Sequence, residues 1–189
     1  KQNQNEVMLG NAKTGEIKPI FTETDDAWID VNDDLNWLKG GKEFTWVSER
    51  DGWRHLYIIS RDGRNTKLIT PGNYDVIDVQ SIDEKGGWVY FMASPDNAAQ
   101  RYLFRVSLNG NGKLEQITPK EFSGSNGYQL SEAAKYAIHS FSSSNSVPIS
   151  NLIKLPEHKI IKKLVENKAL AEKISAIKHA PTEFFKIDI

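Results

Sequence analysis

A chain of 189 residues can bury one core or stack several small units, and it is too short for two large domains. Its 24 basic and 25 acidic side chains leave a formal net charge of -1, which offers no overall attraction to nucleic acid or to an anionic membrane surface. The absence of cysteine excludes disulfide scaffolds, thiolate zinc sites and cysteine nucleophiles. No apolar run approaches the roughly 20 residues needed to cross a bilayer, and the polar KQNQNE start lacks the apolar core of a signal peptide.

In chain order, "VMLGN" and "KPIFTE" flank the turn "NAKTGE" and read as a hairpin. An acidic loop, "WIDVNDDLNWL", follows. "EFTWVS" and "HLYIIS" are strands joined by "SERDGWRHLY", and "SRDGRN" leads to "KLITPG". "WVYFMAS" and "YLFRVS" repeat the pattern, with "LNGNGK" turning into "EQITPK". "YAIHSF", "ISNLIKL", the turn "PEHK" and "KIIKKLVE" form a looser fourth copy. The strands EFTWVS, WVYFMAS and YAIHSF are each preceded by a shorter extended run. The last segment, "ENKALAEKISAIKHAP", puts Leu170, Ile174 and Ile177 on one helical face, with Asn167 as cap and Pro181 as stop, and "TEFFKIDI" reads as a strand. A lone terminal strand has unpaired backbone groups, so more polypeptide is expected to follow.

These segments recur with a fixed period. Thr22, Thr70 and Thr118 close successive hairpins at intervals of 48 and 48, Leu56 to Leu103 is a step of 47, and Leu152 lies a further 49 along. Four short antiparallel strands per repeat of this length describe a propeller blade. The expected fold is all-β, a partial β-propeller of about three and a half four-stranded blades with a short C-terminal helix. Its first repeat is incomplete and begins in mid-blade. Residues 1–165 make up the propeller, and 166–189 a connecting helix and strand.

In that frame "SERDGWRHLY" joins the second and third strands of a blade, and Asp51-Gly52 supplies its tight turn. Trp53 and Tyr57 are expected to pack between blades, with Glu49, Arg50, Arg54 and His55 bracing the turn. Asp30-x-Asn32-x-Asp34 has the opening spacing of a calcium loop, but Leu35 and Gly41 stand where glycine and glutamate are required, so no metal is assigned. His55, His139, His158 and His179 lack metal-ligand spacing and read mostly as surface or turn residues. Trp46 and Trp88 read as inter-blade core, whereas Trp28, Trp37 and Trp53 stay ambiguous. Seven lysines against three glutamates between Lys154 and His179 alternate with apolar residues, as on a solvated face.

"WIDVNDDLNWL", "FTWVSERDGWRHLYIISRDG", "LITPGNYDVIDVQSIDEKGGWVYFMAS", "YLFRVSLNGNG" and "ENKALAEKISAIKHAPTEFFKI" resemble, in this order, the later blades of the N-terminal propeller of the dipeptidyl peptidase IV family. These are serine exopeptidases of the prolyl oligopeptidase clan. The resemblance implies an eight-bladed propeller leading into an α/β-hydrolase domain of the same parent chain, absent from these residues. It also implies a parent enzyme that removes dipeptides, often after proline, from peptide N-termini. The catalytic serine, aspartate and histidine belong to that other domain. No Gly-x-Ser-x-Gly elbow occurs here, "FSGSNG" has the wrong spacing, and "SFSSSNS" reads as a polar loop.

The family's substrate-gripping glutamate pair lies in an earlier blade, and no Glu-Glu pair is present. Where mammalian members place a Phe-Arg pair after a tryptophan like Trp28, this chain has Asn32 and Asp33, so no substrate contact is carried over. The expected role is therefore non-catalytic: gating and shaping access of peptides to the hydrolase site, with no catalytic, cofactor or metal residue in this chain. The alternative is an interaction module of a catalytically inactive homologue. Peptide substrate and hydrolase domain are the expected partners, a homo-oligomer is possible through exposed blade faces, and neither nucleic acid nor a membrane segment is expected. The family resemblance points to a periplasmic or secreted setting, with the cytoplasm as the alternative.

Overall fold

The computed structural model describes residues 2–177, 180, 182, 183, 185 and 187. They group into two compact units, one of residues up to 76 with 106–113, the other of 77–105 with 114 onward.

The first unit opens with a two-stranded antiparallel sheet, β1 (Gln4–Gly10) and β2 (Ile17–Thr24). A four-stranded sheet follows in the order β3 (Trp37–Leu38), β4 (Glu43–Ser48), β5 (His55–Ser60), β6 (Thr66–Leu68). Phe44 opposes Ile59 and Trp46 opposes Tyr57 across β4 and β5, so these four share a face. That face packs on Ile20, Phe21, Val7 and Leu9 of the first sheet. Phe21 meets Phe44 and Trp46 edge-on at 6.2 and 5.6 Å. The β5–β6 turn comes so close to β2 that a Cβ on Gly63 would lie 1.8 Å from the Ile20 carbonyl oxygen, which only glycine permits.

An ion pair ties the same two sheets at one end. Glu23 of β2 accepts hydrogen bonds from Trp46 Nε1 (2.7 Å), Ser48 Oγ and Arg50 Nη2 (3.1 Å). The Arg50 guanidinium lies over the rings of Phe21 (5.2 Å) and Tyr57 (4.9 Å). Glu23 keeps only 10% of its side-chain exposure, so its charge depends on these donors.

β7 (Val76–Asp83), β8 (Trp88–Ala93), β9 (Tyr102–Ser107) and β10 (Glu115–Gln116) form a sheet ordered β10-β9-β8-β7, most of it in the second unit. The other sheet of the second unit runs in sequence order: β11 (Ser125–Leu130), β12 (Tyr136–Ser143), β13 (Ser146–Lys154), β14 (Lys159–Val165). Tyr90, Met92, Leu103 and Ile117 pack against Tyr128, Ala137, Ile153 and Leu155 to form one core, with Trp88 at its margin. Arg105 lies 3.9 Å above the Trp88 ring and pairs with Glu115 at 2.7 Å.

The Thr70 and Thr118 hydroxyls do the work of backbone carbonyls. Strands β6 and β10 stop too early to pair Leu56 and Leu103, both fully buried. Thr70 Oγ1 accepts the Leu56 N–H (2.9 Å) and Thr118 Oγ1 the Leu103 N–H (2.7 Å). The preceding residues, Ile69 and Ile117, donate back to the same leucine carbonyls at 2.9 and 2.8 Å. Thr22 departs from this. It is an exposed mid-strand residue opposite Glu6, because a bulge opposite Val7/Met8 inserts Ile20 and shifts the register of β2 by one. Ile20 is buried there, as Ile69 and Ile117 are in their hairpins.

Other sequence expectations need correcting. Tyr57 is buried as expected, but Trp53 is 39% exposed. His55, His139 and His158 are buried, so none is a surface residue, although His158 does lie in a turn as expected; His179 lies outside the described residues. Helix α1 (Lys168–Ser175) forms, with Asn167 at the cap position. Its side chain leaves the helix uncapped and donates Nδ2 to the Pro148 carbonyl at 2.7 Å. "SFSSSNS" is mostly strand: β12 and β13 run to Ser143 and from Ser146. Pro181 and much of "TEFFKIDI" lie outside the described residues.

Two outcomes follow for urea denaturation. Thr70→Val and Thr118→Val should each cost about 1–3 kcal/mol by leaving a buried N–H unpaired, while Thr22→Val should stay within about 0.5 kcal/mol. Arg50→Ala should cost about 2 kcal/mol, since it strips a charged donor and two ring contacts from Glu23 and its neighbours.

Candidate functional site

One cleft of the first unit lies between the 25–36 loop and the start of the β4–β5 loop. Side chains fix the 25–36 loop from both directions. Asp25 Oδ1 accepts the backbone N–H groups of Ala27 (2.7 Å) and Trp28 (3.3 Å), forming a tight local turn. Asn5 of β1 and Gln2 just before it donate to the carbonyls of Asp30 (2.8 Å) and Ile29 (3.3 Å). Asn32 donates to the Val47 carbonyl at 2.7 Å, and Thr45 Oγ1 accepts the Asn36 N–H at 3.0 Å, tying it to β4.

Trp28, 59% exposed, forms one wall, with its indole N–H donated to Asp30 Oδ1 at 2.9 Å. Ile29, Val31 and Val47 supply the other apolar surface, and Glu23, Ser48, Glu49, Arg50 and Arg54 the polar rim. Glu23 and Arg50 neutralise each other, and Arg54 donates to the Val76 carbonyl. The carboxylates of Asp25, Asp30 and Glu49 make the rim acidic. The cleft encloses about 80 Å³. Pockets that engulf a drug-sized ligand run to roughly 300–1,000 Å³, so this one has room for a single side chain or a few waters. It offers hydrogen-bond acceptors and an aromatic face.

The calcium-like triplet is spent elsewhere: Asp30 on the indole, Asn32 on Val47 and, through Oδ1, on the Asp34 N–H at 3.1 Å. Among the described residues no group of three or more His, Asp or Glu side chains is arranged to hold a metal ion. Within "SERDGWRHLY", Gly52 adopts φ 93° and closes the turn. Asp51 accepts from the Trp53 N–H at 3.4 Å and meets His55 Nδ1 at 2.9 Å. Burial would raise the Asp51 carboxyl, but hydrogen bonds from His55 and Tyr57 outweigh it and hold the group below its usual range. Burial, then the Asp51 hydrogen bond, pushes the Tyr57 hydroxyl up to about 12. Arg50 and His55 do brace the turn, as the sequence suggests; that Arg50 reaches Glu23, 27 residues away, carries no local sequence signal.

The family model for the dipeptidyl peptidase IV (DPP IV) N-terminal region matches residues 1–148. Dipeptidyl peptidase 4 of Trichophyton equinum is 28% identical over 196 residues, covering 100% of this chain and 25% of that protein. The probable dipeptidyl peptidase 4 of Emericella nidulans is 25% identical over 202 residues, with the same two coverages. The crystal structure of Porphyromonas gingivalis dipeptidyl peptidase 4 superposes with a TM-score of 0.86 at 25% identity, over 97% of this chain and 26% of that one. A putative dipeptidyl aminopeptidase IV from Bacteroides ovatus shares the fold, with a TM-score of 0.72 at 22% identity over 87% of this chain and 26% of that one. The chain thus spans about a quarter of the length of the relatives it matches. With three four-stranded sheets and one two-stranded sheet in succession, its fold is a partial β-propeller. The chain belongs to the family of the dipeptidyl peptidase IV N-terminal region.

Proposed function

We propose that this chain is part of the propeller of a serine-type dipeptidyl peptidase and that it gates and shapes the access of peptides to a hydrolase site lying elsewhere in the parent chain. Residues 1–165 form the propeller segment in this reading, and 166–189 lead through α1 toward the hydrolase domain. The observation that carries it is the match of the whole chain, in order, to about a quarter of proteins named dipeptidyl peptidase 4, one of them superposing at a TM-score of 0.86. The chemistry of the chain agrees. The cleft beside Trp28 can meet one side chain, and in the serine-rich 140–146 stretch the Ser143 hydroxyl pairs with that of Ser146 at 2.8 Å. Restricting entry needs a rigid wall and no reacting group, whereas bond cleavage needs a nucleophile, a base and oxyanion donors.

The purified chain should release no chromophore from a Gly-Pro or Ala-Pro p-nitroanilide, while the full parent protein should hydrolyse it. Turnover by the chain alone, or an inactive parent, contradicts the proposal, and an inactive parent would leave the interaction-module reading. The isolated chain should also self-associate, because Ile161, Leu164 and Ile177 are exposed on β14 and beyond α1. Sedimentation should show a growing oligomer fraction in the micromolar range. A monodisperse monomer at high micromolar concentration is the contrary result.

A further inference from the structure

Two imidazoles and two aromatic rings meet inside the second unit. His139 of β12 stacks on Tyr128 of β11 with centroids 4.7 Å apart and planes 19° apart. His158, in the β13–β14 turn, stands edge-on to His139 at 4.7 Å. Phe122 of the 3-10 turn Lys120–Phe122 lies against both, at 4.8 and 5.4 Å. His139 is 0% exposed and His158 5%.

The hydrogen bonds around this pair suit neutral rings. Asn126 donates its Nδ2 to the carbonyls of Arg101 (2.8 Å) and Phe122 (2.9 Å), so the Oδ1 facing His139 Nε2 at 2.8 Å is an acceptor. The proton of neutral His139 therefore sits on Nε2, and Nδ1 is a buried lone pair with no partner. His158 Nε2 meets the Tyr128 hydroxyl at 2.9 Å, which in turn meets Thr118 Oγ1 at 2.8 Å, and its Nδ1 also lacks a partner. An imidazolium must donate from both nitrogens. At His139 the extra N–H would point at nothing, at His158 its own backbone is what favours the added proton, and two such charges would face each other across 4.7 Å.

The surroundings provide little compensation. The charge that bears on His139 is that of His158. Glu121 of the 3-10 turn bears on His158, while Glu157, beside it in the turn, points to Lys154 at 3.9 Å. Tyr128 is held neutral by burial, which raises its hydroxyl well above the usual range.

We propose that this histidine pair is an acid-sensitive latch: proton entry releases the β11–β14 sheet from its packing on the β9–β10 hairpin while the β3–β6 sheet of the first unit stays folded. The Thr118–Tyr128–His158 chain is the link, since Thr118 also holds the Leu103 N–H of β9.

Burial, and then the His158 charge, depress His139 from 6.5 to about 3, and burial lowers His158 as well. A folded pKa below the unfolded one means that the unfolded chain binds more protons between the two values. The stability carried by the neutral pair is therefore complete above about pH 6.5 and drains away as the pH falls toward 3. In the first unit Asp51 is also lowered, but from 3.8, so its contribution fades only in stronger acid.

Hydrogen exchange on the whole chain, corrected for intrinsic rates, tests this. Between about pH 7.5 and 4.5, protection in β11–β14 should fall roughly a hundredfold from His139 alone, with β3–β6 unaffected. His139→Gln with His158→Gln keeps amide donors that take no proton, and should remove most of that loss. Equal loss in both units, undiminished protection at pH 4.5, or an unchanged acid response in the double variant would overturn the latch. If the double variant does not fold, imidazole NMR of the unaltered chain decides. His139 should stay neutral for as long as the sheet is folded, and a free titration near pH 6.5 in the folded state refutes the idea.

Discussion

A buried strand cannot end in the middle of a core with its N–H groups unpaired, and that constraint shapes the β5–β6 and β9–β10 hairpins of this chain. Leu56 and Leu103 are wholly buried, yet the outer strands beside them stop one register position short. The threonine two residues after the last strand pair supplies the missing acceptor from its side chain, at 2.9 Å in one sheet and 2.7 Å in the other. An unmade bond at either site would cost about 1–3 kcal/mol, a sizeable part of a typical domain's stability. The following prolines, Pro71 and Pro119, bring no N–H of their own, so the chain can leave the sheet there without a further donor to pair.

The same accounting explains how the loops of the first unit are held. Residues 25–36 contain no strand, and their order comes from side-chain amides: Gln2 just before β1, Asn5 of β1, and Asn32 reaching toward β4. Glu23 does the equivalent with charge. Three donors from Trp46, Ser48 and Arg50 converge on it, and Arg50 is itself sandwiched against Phe21 and Tyr57. A charge this well matched is architectural. What it leaves open is the Trp28 face and the acidic rim beside it.

The strands β4, β5, β8 and β9 were legible because they are buried on both faces and read as apolar, β-branched runs. β3 and β10 have two residues each and carry no pattern, and β7 and β11 mix polar side chains into half-exposed faces. The repeat was legible as a period, but its first threonine was out of phase because the bulge at Ile20 leaves no mark in the letters KPIFTE. The family was legible from the order of five segments, a property that no single motif carries. The buried histidines were illegible for a physical reason: whether an imidazole can be buried depends on partners 13 and 30 residues away, Asn126 for His139 and Tyr128 for His158.

Those partners also make the two buried histidine environments chemically unlike. His55 sits edge-on to Tyr74 and His139 lies flat on Tyr128, so each borrows an aromatic face. The atom on the other side differs. At His55 it is the half-exposed carboxylate of Asp51, which can accept a hydrogen bond from a neutral or a charged ring. At His139 it is a side-chain amide whose nitrogen is already committed to two carbonyls, so only a neutral ring with its proton on Nε2 fits. Each ring keeps one buried nitrogen without a partner, Nε2 at His55 and Nδ1 at His139, so what separates the two sites is the acceptor on the other nitrogen, a carboxylate in the first unit and an amide oxygen in the second. The difference comes down to one oxygen-bearing side chain: Asp51 at the mouth of a turn, Asn126 within a strand.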